Sequence, residues 1–262
     1  MTLAGVLGFP VGHSRSPAMM NAAFAELGLS WSYLRLPVPP ELFRDTVRAL
    51  QGSGFGGVNV TIPHKIAAHD LADVLSPTAA AIGAANTLTF ADGAIEADNT
   101  DAGGFLDALG TSPAGSSALV LGAGGAARAV AWALREEGAE VRLWNRTAAR
   151  AAALAEDLGV SAVAAPGPAD IVVNATSVGL DSATTEAEAL AALSLEGVEP
   201  PRVFCDLVYG GGPSALCRWA ERGGGQTVDG LEVLVRQGAR SLLLWTGREA
   251  PIAVMREAAS HG

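Results

Sequence analysis

The sequence predicts an α/β fold built from two domains, the first containing a mostly parallel β-sheet. A length of 262 residues fits one large α/β domain or two modest ones. Short apolar runs alternate with helical patterns along most of the chain, an order typical of parallel sheets with helical crossovers. Glycines cluster with a proline between residues 100 and 115, and a domain boundary is expected there.

In the first half, five apolar runs predict strands, with helical patterns between them. Pro17 favours a helix that starts at Ser16, because the N–H that proline lacks needs no partner in a first turn. A further helix is expected from about His64, after a turn at Pro63. The pair Asp92-Gly93 between two runs is a strong hairpin signal. The predicted strands are residues 4–9, 32–38, 57–61, 87–90 and 94–97, and the predicted helices include residues 16–27 and 41–51.

The second half repeats this alternation and therefore also predicts a parallel sheet. Helices separate the apolar runs, and the end of the chain is helical. The predicted strands are residues 118–121, 140–144, 171–174 and 203–207. After the first of these strands and a glycine turn, a helix is predicted that ends at about residue 137. The other predicted helices are residues 148–158, 214–222, 230–245 and 252–259.

Composition and charge narrow the class of partner. Apolar residues make up 49% of the chain, which is ample for a core. The formal net charge of −10 disfavours nucleic acids and anionic membranes, which are polyanions, but does not exclude small anionic ligands. The N-terminal apolar runs are short and broken by Gly8 and Pro10, a poor signal peptide, and no run of 18 apolar residues predicts a membrane helix.

Cysteine and histidine usage indicates neither a disulfide framework nor a metal site. Cys205 and Cys217 are the only cysteines and have no CxxC spacing. They favour a cytoplasmic protein with buried thiols over a disulfide or a metal centre. The four histidines show no ligand spacing, so we expect no bound metal.

A strand followed by a glycine turn and a helix begins at Leu119. The segment fits the pattern G-x-G-x-x-G/A, with Ala127 in the third place. The glycines let the backbone approach a pyrophosphate, and the helix N-terminus offers free N–H groups. Because a second strand follows at the right distance, the sequence predicts a Rossmann dinucleotide-binding domain. The residues expected at the pyrophosphate are Gly122, Ala123, Gly124, Gly125 and Ala126.

The end of the second strand indicates which dinucleotide is bound. NAD-binding proteins usually carry an Asp or Glu there, which accepts hydrogen bonds from the ribose. This chain has Asn145, Arg146 and Thr147, so no carboxylate repels a 2′-phosphate. Arg146 can pair with that phosphate, and Arg150 lies one helical turn further along. The pattern favours NADP, although Thr147 can also be a helix cap beside an exposed arginine.

Polar side chains recur at helix starts and along apolar strands of the first half. Ser14 and Ser16 stand at a helix start, where they suit either a bound carboxylate or plain capping. Asn59 and Thr61 alternate on a strand, so both side chains face the same way and need partners. Further polar segments are Asn86-Thr87 and residues 99–101.

Lys65 is the only lysine in the sequence, and the other 16 of the 17 lysine and arginine residues are arginines. An ammonium group can give up a proton, which a guanidinium does not readily do. This contrast points to a role in proton transfer, although the chance survival of one surface lysine explains the count equally well.

In their order along the chain, these segments resemble the shikimate dehydrogenase family. The motifs SxSP, NVTxPxK, GAxNT, NTDxxG, GAGGA, NRT, NATSxG and VDG…Q all appear. They span nearly the whole chain, so the resemblance does not depend on one motif. In this sequence they occupy residues 14–17, 59–65, 83–87, 99–104, 122–126, 145–147, 174–179 and 228–237.

The resemblance implies an enzyme that interconverts 3-dehydroshikimate and shikimate with NADP, a step in aromatic amino acid biosynthesis. Lys65 and Asp101 would form the catalytic acid–base pair. Ser14 and Ser16 would bind the substrate carboxylate. The groups implied to contact the substrate hydroxyls and ring are Asn59, Thr61, Asn86, Tyr209 and Gln237. The residues implied to line the cofactor site are Ala123, Gly124, Asn145, Arg146, Thr147, Thr176 and Gly230.

The resemblance also implies a discontinuous substrate-binding domain, because the C-terminal helix returns to the first domain. That domain would comprise residues 1–101 and 236–262, and residues 102–235 would form the Rossmann domain. Ligands would bind in a cleft between the two, in a monomer or a homodimer.

Two segments depart from the family's pattern. After Tyr209 the chain continues with glycines at 210–212, where relatives often carry Asn or Lys and a proline, so a looser loop is expected. Leu180 stands where the family commonly has methionine. Both departures leave the loop contacts to the nicotinamide open.

Two other functions remain as alternatives. A quinate/shikimate dehydrogenase with relaxed use of NAD would tend to carry an acidic residue near position 146 and to vary Ser16. A non-catalytic metabolite sensor would be expected to lack Lys65 or Asp101, and both are present. The fold alone does not distinguish these functions.

Overall fold

A computed structural model describes residues 1–210 and 212–261 of the chain. Unit 1 comprises Met1–Gly104 and Leu234–Gly262, and unit 2 comprises Phe105–Val233. The corresponding boundaries expected from the sequence are residues 101 and 236. Each unit has its own sheet and its own core, and each is described by itself.

Unit 1 contains a six-stranded mixed sheet in which one strand runs against its neighbours. The strands are β1 (Thr2–Gly8), β2 (Trp31–Pro37), β3 (Phe55–Val60), β4 (Val74–Leu75), β5 (Thr87–Ala91) and β6 (Ala94–Asp98). Their order is β2-β1-β3-β5-β6-β4, and only β5 pairs antiparallel. Asp92 and Gly93 both adopt positive φ between β5 and β6, as a tight hairpin turn requires, so the predicted hairpin is confirmed.

Helices cover the sheet of unit 1. They are α1 (Ser16–Glu26), α2 (Phe43–Gln51), α3 (Lys65–Leu71), α4 (Pro77–Ile82), the first residues of α5 (Thr100–Leu109), most of α10 (Gly230–Thr246) and α11 (Ile252–His261). One core cluster joins Phe43 and Val47 of α2 to Val58, Leu88 and Ile95 of the sheet, all at most 2% exposed. Burying each such side chain is worth about 1.5–3 kcal/mol. Because most of α10 and α11 belong to unit 1, the chain returns after unit 2 to the unit with which it began.

Unit 2 contains six parallel strands in the doubly wound arrangement of a Rossmann fold. The strands are β7 (Ser117–Leu121), β8 (Glu140–Trp144), β9 (Ser161–Ala162), β10 (Ile171–Asn174), β11 (Val203–Asp206) and β12 (Gln226–Val228), and the remaining helices are α6 (Gly125–Glu136), α7 (Ala148–Leu158), α8 (Glu186–Ala192) and α9 (Ala215–Arg222). The strand order is β12-β11-β10-β7-β8-β9. From β7 the chain first adds strands on one side of the sheet, and at β10 it crosses to the other side, so the order of addition reverses between β7 and β10. In such sheets ligands bind beyond the carboxyl ends of the strands at this reversal.

Helix α5 contains two of the glycines that predicted a domain boundary near residues 100–115. Gly103 and Gly104 lie inside this helix and do not break it. A Cβ atom on Gly104 would stand 2.5 Å from the backbone nitrogen of Gln237. The glycine is therefore required by the close approach of α10, and not by a turn.

Other features of the described residues bear on the predicted partners. Within residues 1–210 and 212–261, no helix is both long and apolar enough to cross a bilayer. The same ranges contain no group of three or more His, Cys, Asp or Glu side chains placed to hold a metal ion. Cys205 and Cys217 are free and buried.

Candidate active site

Lys65 and Asp101 form a close ion pair in unit 1. Lys65 is the first residue of α3, and Asp101 lies in the first turn of α5. The Lys65 Nζ atom is 2.5 Å from Asp101 Oδ2, and the side chains are 13% and 16% exposed. Among the described residues the ammonium has no second acceptor, so two of its three N–H donors remain for a ligand oxygen.

Asp101 is held in place by its own helix and by Asn86. The side chain of Asn99 accepts hydrogen bonds from the backbone N–H groups of Asp101 (3.1 Å) and Ala102 (3.3 Å) and so caps α5. Asn86 Nδ2 donates to Asp101 Oδ1 at 2.9 Å. Both carboxylate oxygens of Asp101 are thus engaged, Oδ1 by the Asn86 amide and Oδ2 by Lys65. These two bonds fix the orientation of the Asp101 carboxylate.

Asn86 also joins the pair to α10. Its Oδ1 atom accepts a 2.7 Å hydrogen bond from the Thr100 backbone N–H, and its Nδ2 lies 3.2 Å from Gln237 Oε1. Gln237 is 8% exposed, and its Nε2 donates to the Leu234 carbonyl at 2.7 Å. The structure therefore brings four of the predicted site residues, Lys65, Asp101, Asn86 and Gln237, into one hydrogen-bond network.

Asn59 belongs to the same network through residues that the sequence analysis did not select. Tyr33 donates its hydroxyl proton to Asn59 Oδ1 at 2.7 Å. Asn59 Nδ2 donates to Ser241 Oγ at 2.8 Å and to Thr87 Oγ1 at 3.1 Å. Ser241 is fully buried and lies one helical turn beyond Gln237, a spacing that could have indicated it. Nothing in the local sequence indicates Tyr33.

Ser14, Ser16 and Thr61 lie outside this network within the described part of the chain. Ser14 and Ser16 are each 5% exposed where α1 begins, and the Ser16 backbone N–H donates to Ser14 Oγ at 3.3 Å. Arg35, another residue not selected from the sequence, donates from Nε (3.0 Å) and Nη2 (2.8 Å) to the Ser14 carbonyl. Thr61 follows β3 directly and is partly exposed. The serine pair is thus placed at a helix N-terminus beside a guanidinium group, a setting that suits an anion.

His64, next to Lys65, is a buried structural group rather than a surface one. Its side chain is 2% exposed and stacks on Phe43 with ring centroids 4.5 Å apart. Its Nε2 lies 2.8 Å from the Val38 carbonyl, which can only accept, so Nε2 carries the proton. Burial lowers the pKa of His64 below its ordinary value of 6.5.

The free energy of unfolding should fall when the pH is lowered from about 7.5 to about 5.5, partly through His64. The folded state binds the proton of His64 less readily than the unfolded chain does. The contribution of neutral His64 to the free energy of unfolding is therefore fully present above pH 6.5, and it declines as the pH drops through that value. Urea denaturation at each pH measures the effect. In His64→Gln, whose amide can still donate to the Val38 carbonyl, the decline should be smaller. An identical decline in both proteins would show that His64 contributes nothing to it.

In unit 2, the glycine turn after β7 forms an open cradle at the N-terminus of α6. Gly122 adopts a φ of +122°, and a Cβ atom there would stand 2.9 Å from the Ala175 carbonyl oxygen. Gly124 caps α6 without any side-chain hydrogen bond, and a Cβ atom on it would meet nothing within 4 Å. No side chain caps the N-terminus of α6, so backbone N–H groups there remain for an anion such as a pyrophosphate.

The residues after β8 present basic and polar groups to solvent. Arg146, Thr147 and Arg150 are exposed, and Asn145 Nδ2 donates to the Thr147 carbonyl at 3.0 Å. Thr147 is the cap residue of α7, but its side chain makes no capping bond, so its hydroxyl stays available. Neither Arg146 nor Arg150 forms an ion pair among the described residues. These groups fit the 2′-phosphate of NADP.

The remaining predicted residues of unit 2 are Thr176 and Tyr209, on the loops beyond β10 and β11, and Gly230, the first residue of α10. Thr176 Oγ1 donates to Asn174 Oδ1 at 2.7 Å. Gly230 packs against the backbone of Leu207, whose oxygen would be 2.6 Å from a Cβ atom. Tyr209 is partly exposed. The expectation of a looser loop after Tyr209 involves Gly211, which lies outside the described residues.

Three family models match successive parts of this chain. Residues 6–88 match the model of the shikimate dehydrogenase substrate binding domain, residues 108–207 match shikimate / quinate 5-dehydrogenase, and residues 230–259 match the shikimate 5'-dehydrogenase C-terminal domain. Curated relatives named shikimate dehydrogenase (NADP(+)) come from Methanothermobacter thermautotrophicus, at 44% identity over 98% of this chain and 95% of that one, and from Methanopyrus kandleri, at 45% over 98% and 94%.

A solved structure extends the similarity to the fold. The shikimate 5-dehydrogenase of Thermus thermophilus, in complex with NADP(H) and shikimate, is 43% identical and superimposes with a TM-score of 0.89. The match covers 100% of this chain and 99% of that one. With this identity over nearly the whole length of both chains, the protein belongs to the shikimate dehydrogenase family.

Proposed function

We propose that the protein is an NADP-dependent dehydrogenase that reversibly reduces 3-dehydroshikimate to shikimate, a step in the biosynthesis of aromatic amino acids. The observation that carries this proposal is the Lys65–Asp101 pair, in which an ammonium with two free N–H donors sits among amide groups. The relatives named above as NADP(+)-dependent shikimate dehydrogenases support it. So do the exposed arginines after β8, where a carboxylate would favour NAD.

The polar groups of unit 1 match the chemistry of a polyhydroxylated carboxylic acid. Ser14 and Ser16 take the carboxylate at the N-terminus of α1, with the Arg35 guanidinium nearby as a positive charge. Asn59, Thr61, Asn86 and Gln237 take the ring hydroxyls. Because Asn59 Nδ2 is already engaged by Ser241 and Thr87, the free capacity of Asn59 is a lone pair of Oδ1, so a substrate hydroxyl would donate to it.

The cofactor is held by unit 2. NADP, when bound, supplies or accepts a hydride at its nicotinamide ring. The pyrophosphate is taken by the backbone N–H groups from Ala123 to Ala126, which the absence of side-chain capping leaves free. The Gly122 N–H already donates to the Trp144 carbonyl at 2.7 Å. Asn145, Arg146, Thr147 and Arg150 take the 2′-phosphate. Thr176, on the loop beyond β10, and Gly230, at the start of α10, line the rest of the cofactor site.

Lys65 moves the proton that the reduction requires. A ketone oxygen that gains negative charge needs a donor within hydrogen-bond reach, and the Lys65 ammonium has two N–H groups to offer. In the oxidative direction the neutral amine accepts the proton from the substrate hydroxyl. Asp101 orients the amine through Oδ2, and Asn86 holds Asp101 through Oδ1, so the pair is preorganised before substrate arrives.

The test is a spectrophotometric assay of nicotinamide reduction, with shikimate or quinate offered against NADP or NAD. The proposal expects reduction with shikimate and NADP and little with the other three combinations. Comparable rates with quinate and NAD would replace it with a relaxed quinate/shikimate dehydrogenase. No reduction in any combination would favour a metabolite sensor, and binding titrations with shikimate would then follow.

We also propose that the protein acts in the cytoplasm, as a monomer or a homodimer. The two free, buried thiols support a reducing compartment. Light scattering coupled to gel filtration would distinguish the two oligomeric states.

A further inference from the structure

Asp206, the last residue of β11, is a fully buried carboxylate that the proposed chemistry does not use. It accepts hydrogen bonds at both oxygens: Oδ1 from Asn174 Nδ2 (2.9 Å) and the Val208 backbone N–H (3.1 Å), and Oδ2 from Ser214 Oγ (2.6 Å). Burial raises the pKa of this carboxyl above its ordinary value. A buried ionisable group carries a desolvation cost that an apolar residue would avoid, so its presence calls for a physical reason.

The first bond of Asp206 leads to the loop after β10. Asn174, held by Asp206, accepts at its own Oδ1 from the Thr176 backbone N–H (3.1 Å) and from Thr176 Oγ1 (2.7 Å). Thr176 Oγ1 in turn accepts from the Val178 backbone N–H at 3.0 Å. Four side-chain hydrogen bonds therefore connect the carboxylate to Thr176 and Val178.

This loop forms the wall against which the glycine turn packs. A Cβ atom on Gly122 would stand 2.9 Å from the Ala175 oxygen and 3.4 Å from Thr176 Cγ2. The position of Ala175 and Thr176 thus limits where Gly122, and with it the N-terminus of α6, can lie.

The second bond of Asp206 fixes the loop after β11 in the same way. The Val208 N–H donates to Oδ1, and the Leu207 N–H donates to the Asn174 carbonyl at 3.0 Å. Gly230 packs on this segment, since a Cβ atom there would stand 2.6 Å from the Leu207 oxygen and 2.7 Å from the Val208 oxygen. The Asp206 carboxylate therefore fixes both the loop that approaches Gly122 and the loop that approaches Gly230.

We infer that Asp206 is a positioning residue of the NADP site, which holds the loops after β10 and β11 against Gly122 and Gly230. This inference rests on the proposed use of NADP. Asp206 acts through Asn174 and Val208 and need not touch the cofactor itself. Its loss would let both loops relax and would weaken cofactor binding, while the polar groups of unit 1 that we assign to shikimate would keep their geometry.

The test measures binding as well as activity. NADP is titrated calorimetrically into the wild-type protein, Asp206→Ala and Ser214→Ala, and the thermal midpoint of each is recorded. Asp206→Ala should raise the Kd for NADP by about tenfold to a hundredfold, which corresponds to a loss of about 1.4 to 2.8 kcal/mol in binding free energy. In steady-state assays its KM for NADP should rise while its KM for shikimate stays near the wild-type value.

Ser214→Ala is the matched control. It removes the bond to Oδ2 and the side-chain cap of α9, and so should lower stability, but it leaves the bonds to Asn174 and Val208. Its Kd for NADP should stay within about threefold of the wild-type value, less than 1 kcal/mol by the relation between Kd and free energy. If Asp206→Ala does not fold, Asn174→Ala cuts the same connection at its other end and should weaken NADP binding to a similar degree.

The outcomes separate this inference from the proposed function. A folded Asp206→Ala, or its replacement Asn174→Ala, with a wild-type Kd for NADP would overturn the inference while the wild-type assay still supports the function. An equal loss of affinity in Ser214→Ala would overturn it too, since any destabilisation near β11 would then suffice. A wild-type protein that binds NADP but does not oxidise shikimate would refute the proposed reaction and leave the role of Asp206 standing.

Discussion

Replacing Lys65 with alanine is expected to lower kcat for shikimate oxidation by about 10²- to 10⁴-fold with a smaller change in KM, the range typical of general acid–base groups. The variant keeps the amide groups that we propose to orient the substrate, but it removes the ammonium, which has two N–H donors beyond the one bonded to Asp101. Steady-state kinetics with NADP at saturating concentration give both constants.

Lys65→Arg is the informative companion to this variant. A guanidinium can still pair with Asp101, but it does not release a proton near neutral pH. We therefore expect kcat to be about as low as in Lys65→Ala, whereas the thermal midpoint should lie nearer to the wild-type value. Near-normal kcat in either variant would remove Lys65 from the chemistry and leave the pair as a structural salt bridge.

The second large effect concerns the choice of cofactor. Arg146→Gln should raise the KM for NADP by about tenfold to a hundredfold, which corresponds to the loss of a hydrogen bond to a charged group. The KM for NAD should change little, because NAD has no 2′-phosphate. The variant would thus narrow the preference for NADP.

Arg248→Gln provides the control for a change of surface charge. Arg248 is also exposed, but it lies in unit 1, after α10. Arg248→Gln should leave the KM for NADP and the KM for NAD near those of the wild-type protein. If Arg146→Gln and Arg248→Gln raised the KM for NADP equally, the effect would be one of net charge, and Arg146 would have no specific contact with the phosphate.

Several elements could be predicted from the sequence because a local apolar run or helical pattern marks each of them. β8, α7 and β10 begin and end at the predicted residues. The strands β4 and β9 were not predicted, since each has two residues and exists only by pairing with a longer neighbour. α5 was not predicted because its glycines resemble a loop until the approach of α10 is known.

The candidate site divides in the same way. Lys65 and Asp101 could be selected from motifs, but they are 36 positions apart in the sequence, and no local rule predicts their contact. Ser241, Tyr33 and Asp206 have no local signal of comparable strength, because the importance of each comes from partners elsewhere in the fold. Sequence therefore indicates the groups that meet ligands better than those that hold such groups in place.

The single lysine has a practical consequence for anyone who attaches something to this protein. Among the side chains, Lys65 carries the one aliphatic amine. An amine-reactive ester that couples to a side chain would therefore react at the ion pair with Asp101. Reductive methylation with ¹³C-formaldehyde would conversely give an NMR spectrum with one lysine signal, which reports the protonation and occupancy of the site directly.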